Sequence, residues 1–82
     1  MAQVVLSYEL AQQYTGGQTH LEVDAKDFRA LVKALDGRYP GLGPELGVGL
    51  AVAIDGEIFQ EPFLEPIQPS SEVYFLPAIE GG

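Results

Sequence analysis

Ser71-Glu72-Val73-Tyr74-Phe75-Leu76-Pro77-Ala78-Ile79-Glu80-Gly81-Gly82 joins an apolar strand to a short tail. The spacing predicts a buried strand over residues 73–76. Pro77 then closes the ladder, because its nitrogen carries no hydrogen to donate. The five residues beyond it span roughly 17 Å when extended, at about 3.3 Å each. Gly81 and Gly82 lack side chains, so this is the narrowest and least restricted ending a polypeptide can have. Such an end suits threading into another protein's active site. As a bare dipeptide Gly-Gly carries little weight, since chain ends commonly fray. The remainder of the chain has to supply the context. The expected division is a folded domain over residues 1–77 and a flexible tail over 78–82.

Eighty-two residues make one small domain, and 46% of them are hydrophobic, enough for an efficient core. There is no cysteine, so disulfides and thiolate metal sites are excluded. No apolar run approaches the length of a membrane span, and the basic flank of a signal peptide is missing. A cytoplasmic protein without a membrane partner is therefore expected. The net charge of −8 argues against nucleic acid. Residues 1–40 hold all four basic residues and five acidic ones, whereas residues 41–82 hold seven acidic residues and no base. An acidic surface of this kind serves solubility, or steers the domain toward a basic partner.

Working back from the tail, Leu50-Ala51-Val52-Ala53-Ile54 reads as a strand. Asp55-Gly56 is a strong hairpin signal leading into Glu57-Ile58-Phe59. Residues 60–71, with Pro62, Pro66 and Pro69, read as irregular. So does Arg38–Gly49, whose Gly-x-Gly spacings lack the helix and the Lys or Ser/Thr of a phosphate loop. The clearest helix precedes it. Phe28, Leu31, Val32 and Leu35 form one apolar stripe, with Asp24 expected at the N-cap, Asp27 in the first turn and Gly37 as a left-handed cap. Lys26, Arg29 and Lys33 lie on the opposite side. At the start, Val4 to Leu10 is expected to form a strand with Val4, Leu6, Tyr8 and Leu10 on one face. Gly16-Gly17 would turn it into a second strand over residues 18–23, a hairpin in which His20 and Glu22 face out. The order strand, strand, helix, strand, short strand, strand fits an α+β fold: a mixed sheet packed on one main helix. The strand over residues 73–76 is expected beside the first, as a central, buried member.

This order resembles the β-grasp, or ubiquitin-like, fold. The ending Glu72-Val73-Tyr74-Phe75-Leu76-Pro77-Ala78-Ile79-Glu80-Gly81-Gly82, with Asp55-Gly56-Glu57 after the third strand, resembles the MoaD/ThiS family of sulfur carriers. In length the chain is nearer the molybdopterin synthase small subunit than the shorter thiazole-pathway carrier. It departs from that subunit's usual pattern in having Asp55 for Asn, Ser70-Ser71 for Gly-Asp and Ala78 for Pro. Other pathways that use a thiocarboxylate therefore stay open beside molybdopterin synthesis.

The resemblance implies that Gly82 is adenylated by a ubiquitin-activating-like adenylyltransferase that uses ATP. A sulfur donor, such as a cysteine desulfurase or rhodanese-type protein, then leaves a C-terminal thiocarboxylate. An acceptor synthase, such as the molybdopterin synthase large subunit, would receive the sulfur. The carrier itself would bind no cofactor and would not be an enzyme. In agreement, the residues present no catalytic constellation: His20 stands alone, and Asp24, Asp27 and Asp55 are accounted for by caps and a turn. Partner binding is expected along Pro77, Ala78, Ile79, Glu80 and Gly81, and on the outer sheet face at Val5, Ala51 and whichever of Tyr74 and Phe75 points out. A modifier joined to lysines through Gly82, and an interaction domain with an inert tail, are the alternatives.

Overall fold

An eleven-residue α-helix crosses one face of a five-stranded sheet in the computed structural model, which describes residues 1–46, 50–59 and 64–77. The side chains of Leu50 and Pro77 are not among the described features. The strands are β1 (Ala2–Val5), β2 (His20–Val23), β3 (Leu50–Ile54), β4 (Glu57–Phe59) and β5 (Glu72–Pro77). Their order in space is β2-β1-β5-β3-β4. β5 is central, as expected, and runs parallel to β1 and antiparallel to β3. The helices are α1 (Tyr8–Leu10), which continues into a π-helical turn over Ala11–Thr15, α2 (Phe28–Arg38) and α3 (Leu42–Leu46).

The core lies between α2 and the inner sheet face. Phe28, Leu31 and Leu35 descend from α2 onto Val4, Leu21, Val23, Val52, Ile54, Val73 and Phe75. The Phe28 and Phe75 rings pack with centroids 5.8 Å apart and planes tilted by 42°. Leu42 and Leu46 of α3 close one margin of this core, and Leu6 and Leu10 join it from the segment after β1. Val32 is only partly buried, so the working stripe is narrower than the apolar spacing suggests.

Several expectations are corrected. Strand β1 stops at Val5, and the antiparallel β1–β2 pair is joined by a helical excursion instead of a tight hairpin. The Ser7 hydroxyl accepts from the Leu10 amide at 3.3 Å and caps α1. Leu6, just before the cap, and Leu10, on the helix after it, both enter the core, and Tyr8 is left exposed. Gly16 ends the turn in the left-handed region at φ 71°, and Gly17 follows at 102°.

Asp27, not Asp24, caps α2, accepting from the Ala30 amide at 2.8 Å. The cause is tertiary. Residues 65–67 bond to residues 26–28: Phe28 N–H donates to the Glu65 carbonyl at 2.9 Å and Ile67 N–H to the Lys26 carbonyl at 3.0 Å. This bridge between Asp27 and Pro66 holds the chain extended up to Asp27. At the other end, α2 runs through Gly37 to Arg38. The Asp36 carboxylate instead accepts from the amides of Gly41 and Gly43, at 3.1 and 3.0 Å, and anchors the reversal into α3. The positive φ falls at Gly41, 97°, where a Cβ would stand 3.3 Å from the Tyr14 ring. The stretch read as irregular from Arg38 thus contains a helix; its residues 47–49 lie outside the described ones.

Replacing Asp27 by alanine should cost about 1 kcal/mol in urea unfolding, the usual value of an N-cap. Asp24→Ala should change stability by less than about 0.5 kcal/mol, as an exposed substitution does. Equal losses from the two would contradict the assigned cap.

Candidate functional site

In a strand, successive side chains alternate between faces, and residues opposite each other in register share a face. β5 therefore divides its aromatic pair. Phe75 is 2% exposed and Val73 is fully buried, whereas Tyr74 and Leu76 are 40% and 37% exposed on the other side. The four-residue apolar run is accordingly not buried on both faces. α2 covers one face, and among the described residues no helix covers the other. Tyr74 is the member of the pair that points out. Phe75 belongs to the core and supports the strand from behind.

The register places three rows across this open face. The middle row runs from His20 on β2 through Val5, Tyr74 and Ala53 to Ile58 on β4. His20 and Ile58 are exposed, and Val5 and Ala53 are half-buried. The next row, toward the C-terminal end of β5, pairs Leu76 with Ala51. The row on the other side contains Glu22, Gln3 and Glu72, all exposed. Small alanines at 51 and 53 leave the larger Tyr74 and Leu76 standing above the sheet. Val5, Ala51 and Tyr74, expected on an outer face from sequence, are brought together here. Leu76, Ala53 and Ile58 join them and were missed. Their signal was strand register, which alternation alone does not supply.

The lower end of β5 is held by a polar contact between residues distant in sequence. Ser71, 1% exposed, donates its hydroxyl to Asp55 Oδ2 at 2.8 Å and accepts from the Gln68 amide at 2.9 Å. Asp55 Oδ1 accepts from the Glu72 amide at 2.9 Å, and the Asp55 amide donates to the Glu72 carbonyl at the same distance. Asp55 and Gly56 form the β3–β4 turn with φ 50° and 85°, a conformation that Asp tolerates and Gly favours. Two departures from the molybdopterin synthase pattern, Asp55 and Ser71, are therefore neighbours that satisfy each other.

His20 is an exposed strand residue whose Nδ1 lies 3.0 Å from the Thr19 hydroxyl. Among the described residues no three His, Asp or Glu side chains are grouped to hold a metal ion, and no helix is long and apolar enough to cross a membrane. Pro77 ends β5 opposite Leu50. The remaining expected contact residues, Ala78, Ile79, Glu80, Gly81 and Gly82, lie outside the described ones.

Comparison with known proteins adds the family. The model of the ThiS family matches residues 6–82. The fold is that of ubiquitin-like proteins solved elsewhere. CysO of Mycobacterium tuberculosis aligns with a TM-score of 0.86 at 20% identity, over 96% of this chain and 100% of that one. A chain of the Amycolatopsis orientalis BexX/CysO complex aligns at 0.87 with 18% identity, over all of both chains. The small archaeal modifier protein 1 of Methanosarcina acetivorans aligns at 0.80 with 19% identity, over 99% of this chain and 95% of that one. A search of curated proteins finds no match.

The two β5 aromatics should separate experimentally. Phe75→Ala should lose about 3–5 kcal/mol in chemical denaturation, as a buried aromatic does. Tyr74→Ala should lose less than about 1 kcal/mol, in the range of exposed positions and single cross-strand pairs. The reverse order would overturn the assignment of faces.

Proposed function

The chain belongs to the ThiS family, and on that premise we propose that it is a sulfur carrier whose reactive group is the carboxylate of Gly82. The observation that carries the proposal is the family match running through residue 82, on a domain whose central strand leads into that segment. A carboxylate is a poor electrophile and must first be activated. In a ubiquitin-activating-like adenylyltransferase, a Gly82 oxygen attacks the α-phosphorus of ATP and expels pyrophosphate, giving an acyl adenylate. AMP is then a good leaving group for a sulfur nucleophile. Hydrosulfide yields the thiocarboxylate directly. A persulfide, from a cysteine desulfurase or rhodanese-type protein, yields an acyl disulfide that a second thiol reduces.

The domain's part is delivery. It supplies the reacting atoms while its partners supply the acid–base groups, so the chain itself is proposed to be a carrier and not an enzyme. Gly81 and Gly82 keep the end narrow, and Ala78, Ile79 and Glu80 offer an extended backbone for a partner to bond. An extended tail loses conformational freedom on docking, so the rigid body must add affinity. The open face, with Val5, Ala51, Tyr74 and Leu76, is the proposed contribution. The presence of CysO in a complex with BexX supports a carrier that works docked on a second protein. A cytoplasmic setting, where ATP is available, completes the proposal.

The proposed recipient is molybdopterin-type cofactor synthesis, through a synthase large subunit, on the strength of chain length and the aromatic strand, Pro77 and Gly-Gly ending. The fold shared with an archaeal modifier supports a second reading, attachment to lysines through Gly82.

Intact mass spectrometry after incubation with the adenylyltransferase, ATP and sulfide distinguishes these readings. Exchange of one oxygen for sulfur is expected, and removal of Gly82 should abolish it while leaving the unfolding curve unchanged. Adducts with lysine-bearing proteins in place of that exchange would favour the modifier. No product from an enzyme of proven competence would refute both.

A further inference from the structure

The open sheet face has a direction. Along β5, Leu76 stands at the end nearest Gly82, Tyr74 in the middle and Glu72 at the far end, each about 7 Å from the next at the usual rise of a strand. The cross-strand neighbours repeat the gradient. Ala51 accompanies Leu76; Val5, Ala53 and Ile58 accompany Tyr74; Gln3 and Glu22 accompany Glu72. Asp55 adds a further exposed carboxylate beside Glu72, whose amide it accepts.

The basic side chains are segregated to the other side. Lys26, Arg29, Lys33 and Arg38 are all the basic side chains of the chain, and all lie on α2 or just before it, beyond the opposite face of the sheet. Arg38 meets the edge strand β2. It donates to the Glu22 backbone carbonyl at 2.8 Å while stacking over the Tyr39 ring at 5.5 Å. Its partner is the backbone and not the Glu22 carboxylate, so Glu22 on the edge strand and Glu72 on the central strand both present their charge at the acidic end.

Resting on the sulfur-carrier reading, we propose that the acidic row of Glu22 and Glu72 is an orientation key. The occupant of the open face is a surface of the adenylyltransferase with an apolar centre and a lysine or arginine rim on the side away from its catalytic pocket. The reason is geometric. An apolar patch of alanines, Val5, Tyr74 and Leu76 can be covered in two opposite directions with similar burial. Only one of them turns the Pro77 end of β5 toward the pocket. Carboxylates at one end reward that direction with complementary charge. In the reverse direction they would be covered by apolar surface and lose water without a partner. The charges act chiefly on association, and the apolar row on the lifetime of the complex.

The test uses stopped-flow binding of the full chain to an adenylyltransferase that gives ATP–pyrophosphate exchange with it. Without such exchange from any competent enzyme, the sulfur-carrier reading itself fails. Given exchange, the E22K/E72K double variant should associate about tenfold more slowly at low salt, and the difference should close as ionic strength rises. Tyr74→Ala should raise the dissociation rate instead, with little change in association. Thermal unfolding of each variant checks that the fold persists, and Glu72→Gln gives a milder form of the same change should the double variant fail to fold. Association rates and salt dependence equal to wild type in a folded variant would overturn the orientation key. Concentration-dependent self-association abolished by Glu72→Lys would also overturn it, because the occupant would then be a second copy of the chain.

Discussion

Phe75 beneath Phe28 is the contact on which the rest depends. It clamps the central strand to α2, the longest helix among the described residues, with ring centroids 5.8 Å apart. Once Phe75 and Val73 face inward, strict alternation sends Tyr74 and Leu76 outward. Parallel pairing with β1 and antiparallel pairing with β3 then bring Val5, Ala51 and Ala53 beside them. The fold's main packing interaction and its candidate docking face are therefore two consequences of one register. A slip of a single residue along β5 would exchange them.

The same strand links packing to function. β5 is tied at its lower end by the Asp55–Ser71–Glu72 hydrogen bonds and along its length by ladders on both sides. The point at which it reaches Pro77 is thus set by rigid structure, and the segment beyond starts from a defined position. For a carrier this division is useful. Stability resides in the core between α2 and the inner sheet face, whereas the proposed docking uses the opposite face and the proposed chemistry lies beyond Pro77. Substitutions in the tail or on the outer row should therefore change reactivity or docking with small effects on folding, and substitutions in the Phe28–Phe75 layer the reverse.

Much of the architecture was legible in the sequence because several signals agreed there. Leu50–Ile54, the Asp55-Gly56 turn and the apolar run before Pro77 each combined strand propensity with turn chemistry, and the structure contains all three. The helix was found from the spacing of Phe28, Leu31 and Leu35. Failures came where two local patterns competed or a distant segment intervened. Leu6 and Leu10 both satisfy a strand's alternation, but the Ser7 cap between them starts a helix, so Leu10 reaches the core from a helix instead. Asp24 and Asp27 are equally good caps in isolation, and only the bridge to Pro66, nearly forty residues away, selects Asp27. Gly37 gave a plausible helix end, but the Asp36 carboxylate moved the reversal to Gly41. For the site, an outer face at Val5 and Ala51 was legible. The choice between Tyr74 and Phe75 was not, because an unbroken apolar run carries no alternation to read.

The most direct measurement is an NMR titration of the isotopically labelled chain with the adenylyltransferase, following amide and methyl signals. If the open face docks the carrier, signals from Val5, Ala51, Ala53, Tyr74 and Leu76 should shift or broaden first, with those of Gly81 and Gly82. Signals from Arg29 and Lys33 on α2 should stay in place. Perturbation centred on α2, with the Tyr74 row unchanged, would contradict the account.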